Sequence, residues 1–246
     1  MPRPGPLAPA VPARQSPFLA DLTWPDVRDL ARAGTFLAVP IGSTEQHGPQ
    51  LPLSTDTDVA EALCQRLAAA RPDVLVAPAL PYGSSGEHAG FAGTISIGQA
   101  AVELAVLELG RSAAETFARV LFVSAHGGNG EPVARAVRRL REESRDVAVF
   151  CPRWDGDPHA GYEETALQLA LRPAAVRTDR STPGNTGRLT ELMPALRAGG
   201  VRSVSPSGVL GNPVGATAAA GEALLDELTA ALIRQVQQWN PEGQAR

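Results

Sequence analysis

Short, wholly apolar runs alternate with longer amphipathic ones along this chain. TFLAVPIG, VLVAPALPYG, VLFVSAHGG and DVAVFCP read as strands, while TDVAEALCQRLAAA, AAVELAVLELGRSAAETFA and EPVARAVRRLREE, which lie between them, read as helices. Parallel strands covered by helices are buried on both faces, and TFLAV, VLVAPAL and VLFVSA are accordingly apolar without a break. The pattern predicts an α/β fold, a three-layer α/β/α sandwich around a central, mostly parallel sheet. Ligands of such sheets gather beyond the carboxyl ends of the strands. The first strand delivers Glu45 and His47 there, the second the segment GSSGEH and the third His126, so three segments converge on one rim.

The ends of the chain follow other patterns. Residues 1–17, MPRPGPLAPAVPARQSP, are rich in proline and alanine with no apolar period and read as a disordered arm. Residues 18–246 then read as a single catalytic domain. HAGYEETALQLAL carries an apolar helical stripe, and GEALLDELTAALIRQVQQW is strongly amphipathic. The proline- and glycine-rich stretch between them, 172–215, is too long for an ordinary connection and is expected to be functional or to pack at an interface. There is no internal repeat.

Composition narrows the partners. A chain of 246 residues with 43% hydrophobic content can bury a large core. Its net charge of -4 and pI near 5.6 argue against nucleic acid and membrane surfaces, and favour small molecules or peptides. Cys64 and Cys151 lack the spacing of a disulfide framework or zinc knuckle and read as reduced thiols. No apolar run approaches the roughly 20 residues that span a bilayer, and no signal pattern opens the chain, so a cytoplasmic protein is expected.

The four histidines, His47, His88, His126 and His159, each stand near glycine and an acid or amide. Glu45, His47 and Asp56 share a loop stiffened by Gly48, Pro49 and Pro52, which suits a metal site. Two-metal hydrolysis needs a bridging ligand, usually a carboxylate, and Asp56 is the natural candidate. Glu45, His47 and His126 are then terminal ligands, whose nitrogen and hard oxygen atoms suit two divalent ions of zinc, iron(II) or manganese. His159 is a candidate proton shuttle, and Glu164, five residues on, a further metal ligand. Each residue alone has a plainer reading: a loop-capping acid at position 45 or 56, a tight turn at AHGGNG, a helix-starting acid at Glu164. Glu87 and His88 are candidate substrate contacts, His88 equally a structural group. Gly127, Gly128 and Asn129 offer backbone amides to substrate or a developing oxyanion. Ser84 and Ser85 do not form a nucleophile elbow, because Glu87 stands where the second glycine belongs. GGNGEP lacks the lysine of a phosphate-binding loop.

The motifs PIGSTEQHGPQLPLSTDTD, FAGTISIG, AHGGN and HAGYEET, from residue 39 onward, resemble those of the creatininase family of metal-dependent amidohydrolases. The resemblance implies the creatininase-like sandwich, a dinuclear metal centre, hydrolysis of a carbon–nitrogen amide bond and a homo-oligomer, often a hexamer built from dimers. It implies that Glu45, Asp56 and His126 hold one metal, that His47 and the bridging Asp56 hold the other, and that His159 transfers protons. Creatininase carries a glutamate two residues after the third-strand histidine to complete the second site. Gly128 stands there in this chain, which points away from creatinine hydrolysis and toward Glu164 as the replacement ligand. Ala92 and Ala166, where proline and serine are usual, are smaller departures. GDPHAG at 156–161, LRPAAVRTDR at 171–180 and SGVLGNPVGATAAAGE at 207–222 are similar to a peptidase subgroup of the family. Those enzymes cut a modified ribosomal precursor peptide and release its cross-linked, decarboxylated C-terminal Val-Tyr unit. Hydrolysis of a small cyclic amide or a formamide is the alternative within the family, and a non-catalytic partner-binding scaffold the alternative outside it.

Overall fold

The computed structural model describes residues 16–239. Four strands, β1 (Phe36–Ile41), β2 (Val74–Val76), β3 (Val120–Ser124) and β4 (Val147–Phe150), form a sheet of order β2-β1-β3-β4, with every pair parallel. Alternate residues of each strand feed two separate cores, which is why the apolar runs are unbroken. Phe36, Ala38, Leu121, Val123, Ala148 and Phe150 meet the helices α2 (Thr55–Ala70), α5 (Tyr162–Leu171) and α7 (Ala218–Gln238). Leu37, Val39, Ile41, Val120, Phe122 and Val147 meet α1 (Trp24–Arg32), α3 (Gly98–Ala113) and α4 (Gly130–Glu142) on the other face. The expected three-layer α/β/α sandwich is the observed one.

Four elements differ from expectation, α1 being one that the sequence pattern did not announce. The second strand stops at Val76, because Pro78 and Pro81 cannot donate to a ladder. Its continuation still tracks β1, through the Leu80 amide on the Pro40 carbonyl at 2.9 Å and the Gly42 amide on the Leu80 carbonyl at 3.0 Å. The second of the three expected helices, α3, ends at Ala113 instead of running on to Ala118. The stretch 172–215 contains a sixth helix, α6 (Leu189–Val204), hidden in the sequence by Pro194 and by Gly200, whose φ of 68° breaks the helical path. Residues 1–15 of the predicted arm lie outside the described residues. Its last member, Pro17, accepts the Val76 amide at 2.9 Å. Among the described residues no helix is long and apolar enough to cross a membrane.

At the carboxyl rim the chain is drawn tight by residues without room for alternatives. A Cβ on Gly42 would overlap the Thr57 backbone, so glycine at the end of β1 lets the start of α2 lie directly against it. Asn129, after β3, donates to the Gly42 carbonyl and accepts from the Ser84 amide, both at 2.9 Å. One buried amide therefore ties the loops after β1, β2 and β3 together.

Candidate metal centre

All four histidines and three carboxylates converge on this rim. Glu45 and His47 follow β1; Asp56 and Glu164 occupy the first turns of α2 and α5, where the positive end of the helix dipole favours a carboxylate. His126 leaves β3, and His159 is held in an antiparallel bridge with Leu210, 3.2 Å and 2.9 Å between backbone groups. Every one of these seven side chains is buried.

Asp56 stands between two groups. Its Oδ2 lies 3.2 Å from His126 Nδ1 and accepts the Ser43 hydroxyl at 2.7 Å, while its Oδ1 lies 3.2 Å from His47 Nε2. Glu45, Asp56 and His126 bring ligand atoms within 4.8 Å of one another, and so do His47, Asp56 and Glu164. His47 Nδ1 faces the Glu45 carbonyl at 3.1 Å and can only donate to it, which leaves Nε2 to point at Asp56 and, 3.8 Å away, at Glu164. His159 Nε2 likewise donates to the Gln46 carbonyl at 2.9 Å, so its Nδ1 faces the Glu45 and Glu164 carboxylates at 3.9 and 4.0 Å.

The charges reflect this crowding. Burial, then the Asp56 charge, push Glu45 up to about 7, against the pull of His126 and His47. Burial raises Glu164 to about 7 as well, with Asp56 adding to it and His47 opposing. Burial works against the protonated His47, but Asp56, Glu164 and Glu45 overcome it and raise the pKa to about 10. The same contest, won by Asp56 and Glu45, brings His126 to about 9. Burial and the neighbouring His47 hold His159 well below its ordinary value, and burial with His47 and His126 takes His88 down to about 3.

A divalent cation fits this arrangement. Three buried acids in one pocket are costly unless cations accompany them. Glu45 Oε2 is buried without a hydrogen-bond partner, 3.2 Å from His126 Nε2 but out of hydrogen-bonding geometry. The donor set of carboxylate oxygens and imidazole nitrogens suits zinc, manganese or iron(II).

The candidate substrate contacts separate. Glu87, His88, Gly127 and Gly128 line a cavity of about 710 Å³ that opens over the cluster, with Leu189, Met193, Leu196 and Arg197 of α6 as its far wall. Asn129 is fully buried and its side chain serves the loop contacts described above. A Cβ at Gly128 would overlap the Ser84 carbonyl and stand 2.6 Å from both His126 Nε2 and Glu87 Oε1. A side chain there would thus aim at the Glu45–His126 side, where the 38%-exposed Glu87 carboxylate already stands 4.0 Å from His126 Nε2. Glu164 instead faces His47. A second cavity of about 820 Å³ shares Ala125, Gly127, Pro158, Glu164 and Leu189 with the first and extends past Trp154, Arg153 and Arg188.

Two residues of the centre were not legible beforehand. Gln46 looks like any polar loop residue between two candidate ligands, yet its buried amide reaches His88, and Ser43 gave no signal for its bond to Asp56.

Known proteins resemble this chain over most of its length. A family model described as creatininase, creatinine amidohydrolase, matches residues 20–236. The chain is 46% identical over 235 residues to the mycofactocin precursor peptide peptidase of Mycolicibacterium smegmatis, covering 93% of this chain and 95% of that one. It is 32% identical over 198 residues to the creatinine amidohydrolase of Pseudomonas putida, covering 68% and 76%. A solved structure titled creatininase Mn superposes with a TM-score of 0.78 at 25% identity, covering 92% of this chain and 100% of that one.

Proposed function

The chain belongs to the creatininase family and is a hydrolase of amide bonds, and from that premise we propose that it is the metal-dependent peptidase of a mycofactocin system. Its substrate is a modified ribosomal precursor peptide, from which it releases the cross-linked, decarboxylated C-terminal Val-Tyr unit. The observation that carries this reading is the pair of joined cavities. A cluster of candidate ligands that lines a space of about 710 Å³ and reaches a neighbouring one of about 820 Å³ through Glu164 suits an extended peptide, whereas a small cyclic amide would fill little of either. The 46% identity to a precursor peptide peptidase supports the same choice.

Glu45, Asp56 and His126 would hold one cation, and His47, Asp56 and Glu164 the other. Zinc, iron(II) or manganese held there would supply Lewis acidity toward water and the scissile carbonyl. His159, kept neutral by its surroundings, presents the free Nδ1 to the cluster, takes there the proton released by the attacking water and passes it to the leaving amine. Glu87, His88 and the glycines 127 and 128 border the substrate. Leu189, Met193 and Leu196 of α6 give the cavity above an apolar wall. The chain from residue 18 acts as one catalytic domain, since the centre draws on segments from Glu45 to Leu210. A homo-oligomer, up to a hexamer, in the cytoplasm completes the reading.

The test is mass spectrometry of the modified precursor peptide incubated with metal-loaded protein. The expected products are the shortened peptide and the Val-Tyr unit. An intact peptide, with turnover of creatinine or a formamide in parallel assays, would move the protein to the small-amide branch of the family.

A further inference from the structure

We propose that Gln46 is a positioning residue: its side-chain amide sets the tautomer of His88, and His88 thereby fixes which oxygen of Glu45 is offered to a cation. This rests on the reading of Glu45, Asp56 and His126 as one metal site. Gln46 is only 5% exposed, and Gly48 settles the orientation of its amide, because the Gly48 N–H donates to Oε1 at 2.9 Å. Nε2 is therefore the donating end, with two hydrogens to place. It lies 2.8 Å from His88 Nδ1, 3.0 Å from His159 Nε2 and 3.3 Å from the Gly208 carbonyl.

His159 Nε2 takes neither hydrogen, since it already carries a proton that it donates to the Gln46 backbone carbonyl at 2.9 Å. The two amide hydrogens go to His88 Nδ1 and the Gly208 carbonyl. Gly208, with φ of 83° and no room for a Cβ against the amide, seals that side. With Nδ1 accepting, the proton of His88 sits on Nε2, which faces Glu45 Oε1 at 3.3 Å, an ion-pair contact. His88 thus stands on the Oε1 side of the carboxylate, while Oε2 is buried without a hydrogen-bond partner beside His126. The relay runs from a backbone amide through Gln46 and His88 to one carboxylate oxygen. Groups that orient a ligand in this way are typically worth 10- to 100-fold in metal affinity.

Chelator competition with zinc on the wild type, Gln46→Ala, His88→Ala and the double variant tests the relay. Each single variant is expected to weaken one of two binding steps by about 10- to 100-fold and spare the other. The double variant is expected to lose no more than His88→Ala alone. Nitrogen-15 spectra of histidine-labelled protein provide the readout that a merely structural role would not move. His88 is expected to be protonated on Nε2 in the wild type and on Nδ1 in Gln46→Glu, whose carboxylate keeps the Gly48 bond but cannot donate. Additive losses, unchanged zinc affinity in Gln46→Ala, or a wild-type His88 protonated on Nδ1 would each overturn the relay alone. A wild type that binds no zinc overturns the metal reading and the relay together.

Discussion

His159 and His47 have the same side chain and opposite electrostatic roles, set by what surrounds each. His47 faces Asp56 and Glu164 closely enough to keep a proton in the metal-free protein, whereas His159 sits behind it, stripped of water and repelled by its charge. The difference predicts different losses on substitution. His159→Gln is expected to leave the metal content of the purified protein unchanged while turnover falls by about 10²- to 10⁴-fold, the usual weight of a positioned acid–base group. Metal analysis beside a single-turnover peptide assay separates the two quantities. Wild-type turnover in that variant would remove His159 from the chemistry.

Among the elements, α7 does the least conspicuous work and has a direct line to the centre. It packs along α5, the helix that carries Glu164, and the contact is close because residue 221 is glycine: a Cβ there would overlap the Ala166 carbonyl. Gly221→Ala gains about 1 kcal/mol of helix propensity, but forcing the two helices apart costs about 1–3 kcal/mol. The expected outcome is a lower guanidinium midpoint and weaker cation binding at the His47–Asp56–Glu164 group. A midpoint at or above that of the wild type would show that α5 does not depend on this contact. The sequence made α7 legible because its leucines recur at helical spacing, and the strands legible because burial on both faces leaves them uniformly apolar. It concealed α6, where Pro194 and the Gly199 and Gly200 pair imitate a loop. The histidines and acids of the centre stood out by their glycine neighbours. What they touch depends on loops meeting across more than a hundred residues, and no local pattern carries that information.

For the molecule as a whole, the cluster makes stability depend on pH in a definite direction. His47 and His126 are raised from an ordinary 6.5 to about 10 and about 9, so the stability they contribute is complete below 6.5 and lost as pH climbs through those values. Glu45 and Glu164 are raised from 4.5 to about 7, and their contribution likewise fades as pH rises through 7. Asp56 is held well below its ordinary 3.8, so its contribution is lost only in acid. His88 and His159, held below 6.5, oppose the raised glutamates up to that pH, and above it the raised groups act alone in one direction. The melting temperature of chelator-treated protein is expected to fall from pH 6.5 to 9, and a divalent cation added at pH 9 is expected to restore it. A melting temperature that climbs from pH 6.5 to 9 without metal would contradict the charge distribution described for the centre.

The position of Glu164 has a temporal consequence. The group that Glu164 completes also needs His47 and Asp56 from the first quarter of the chain, and α5 packs against α7, the last helix among the described residues, as well as against α2. A ribosome still adding residues beyond 164 would thus display His47 and Asp56 without their third partner. Loading of the proposed site would therefore wait until α7 has emerged and docked on α5.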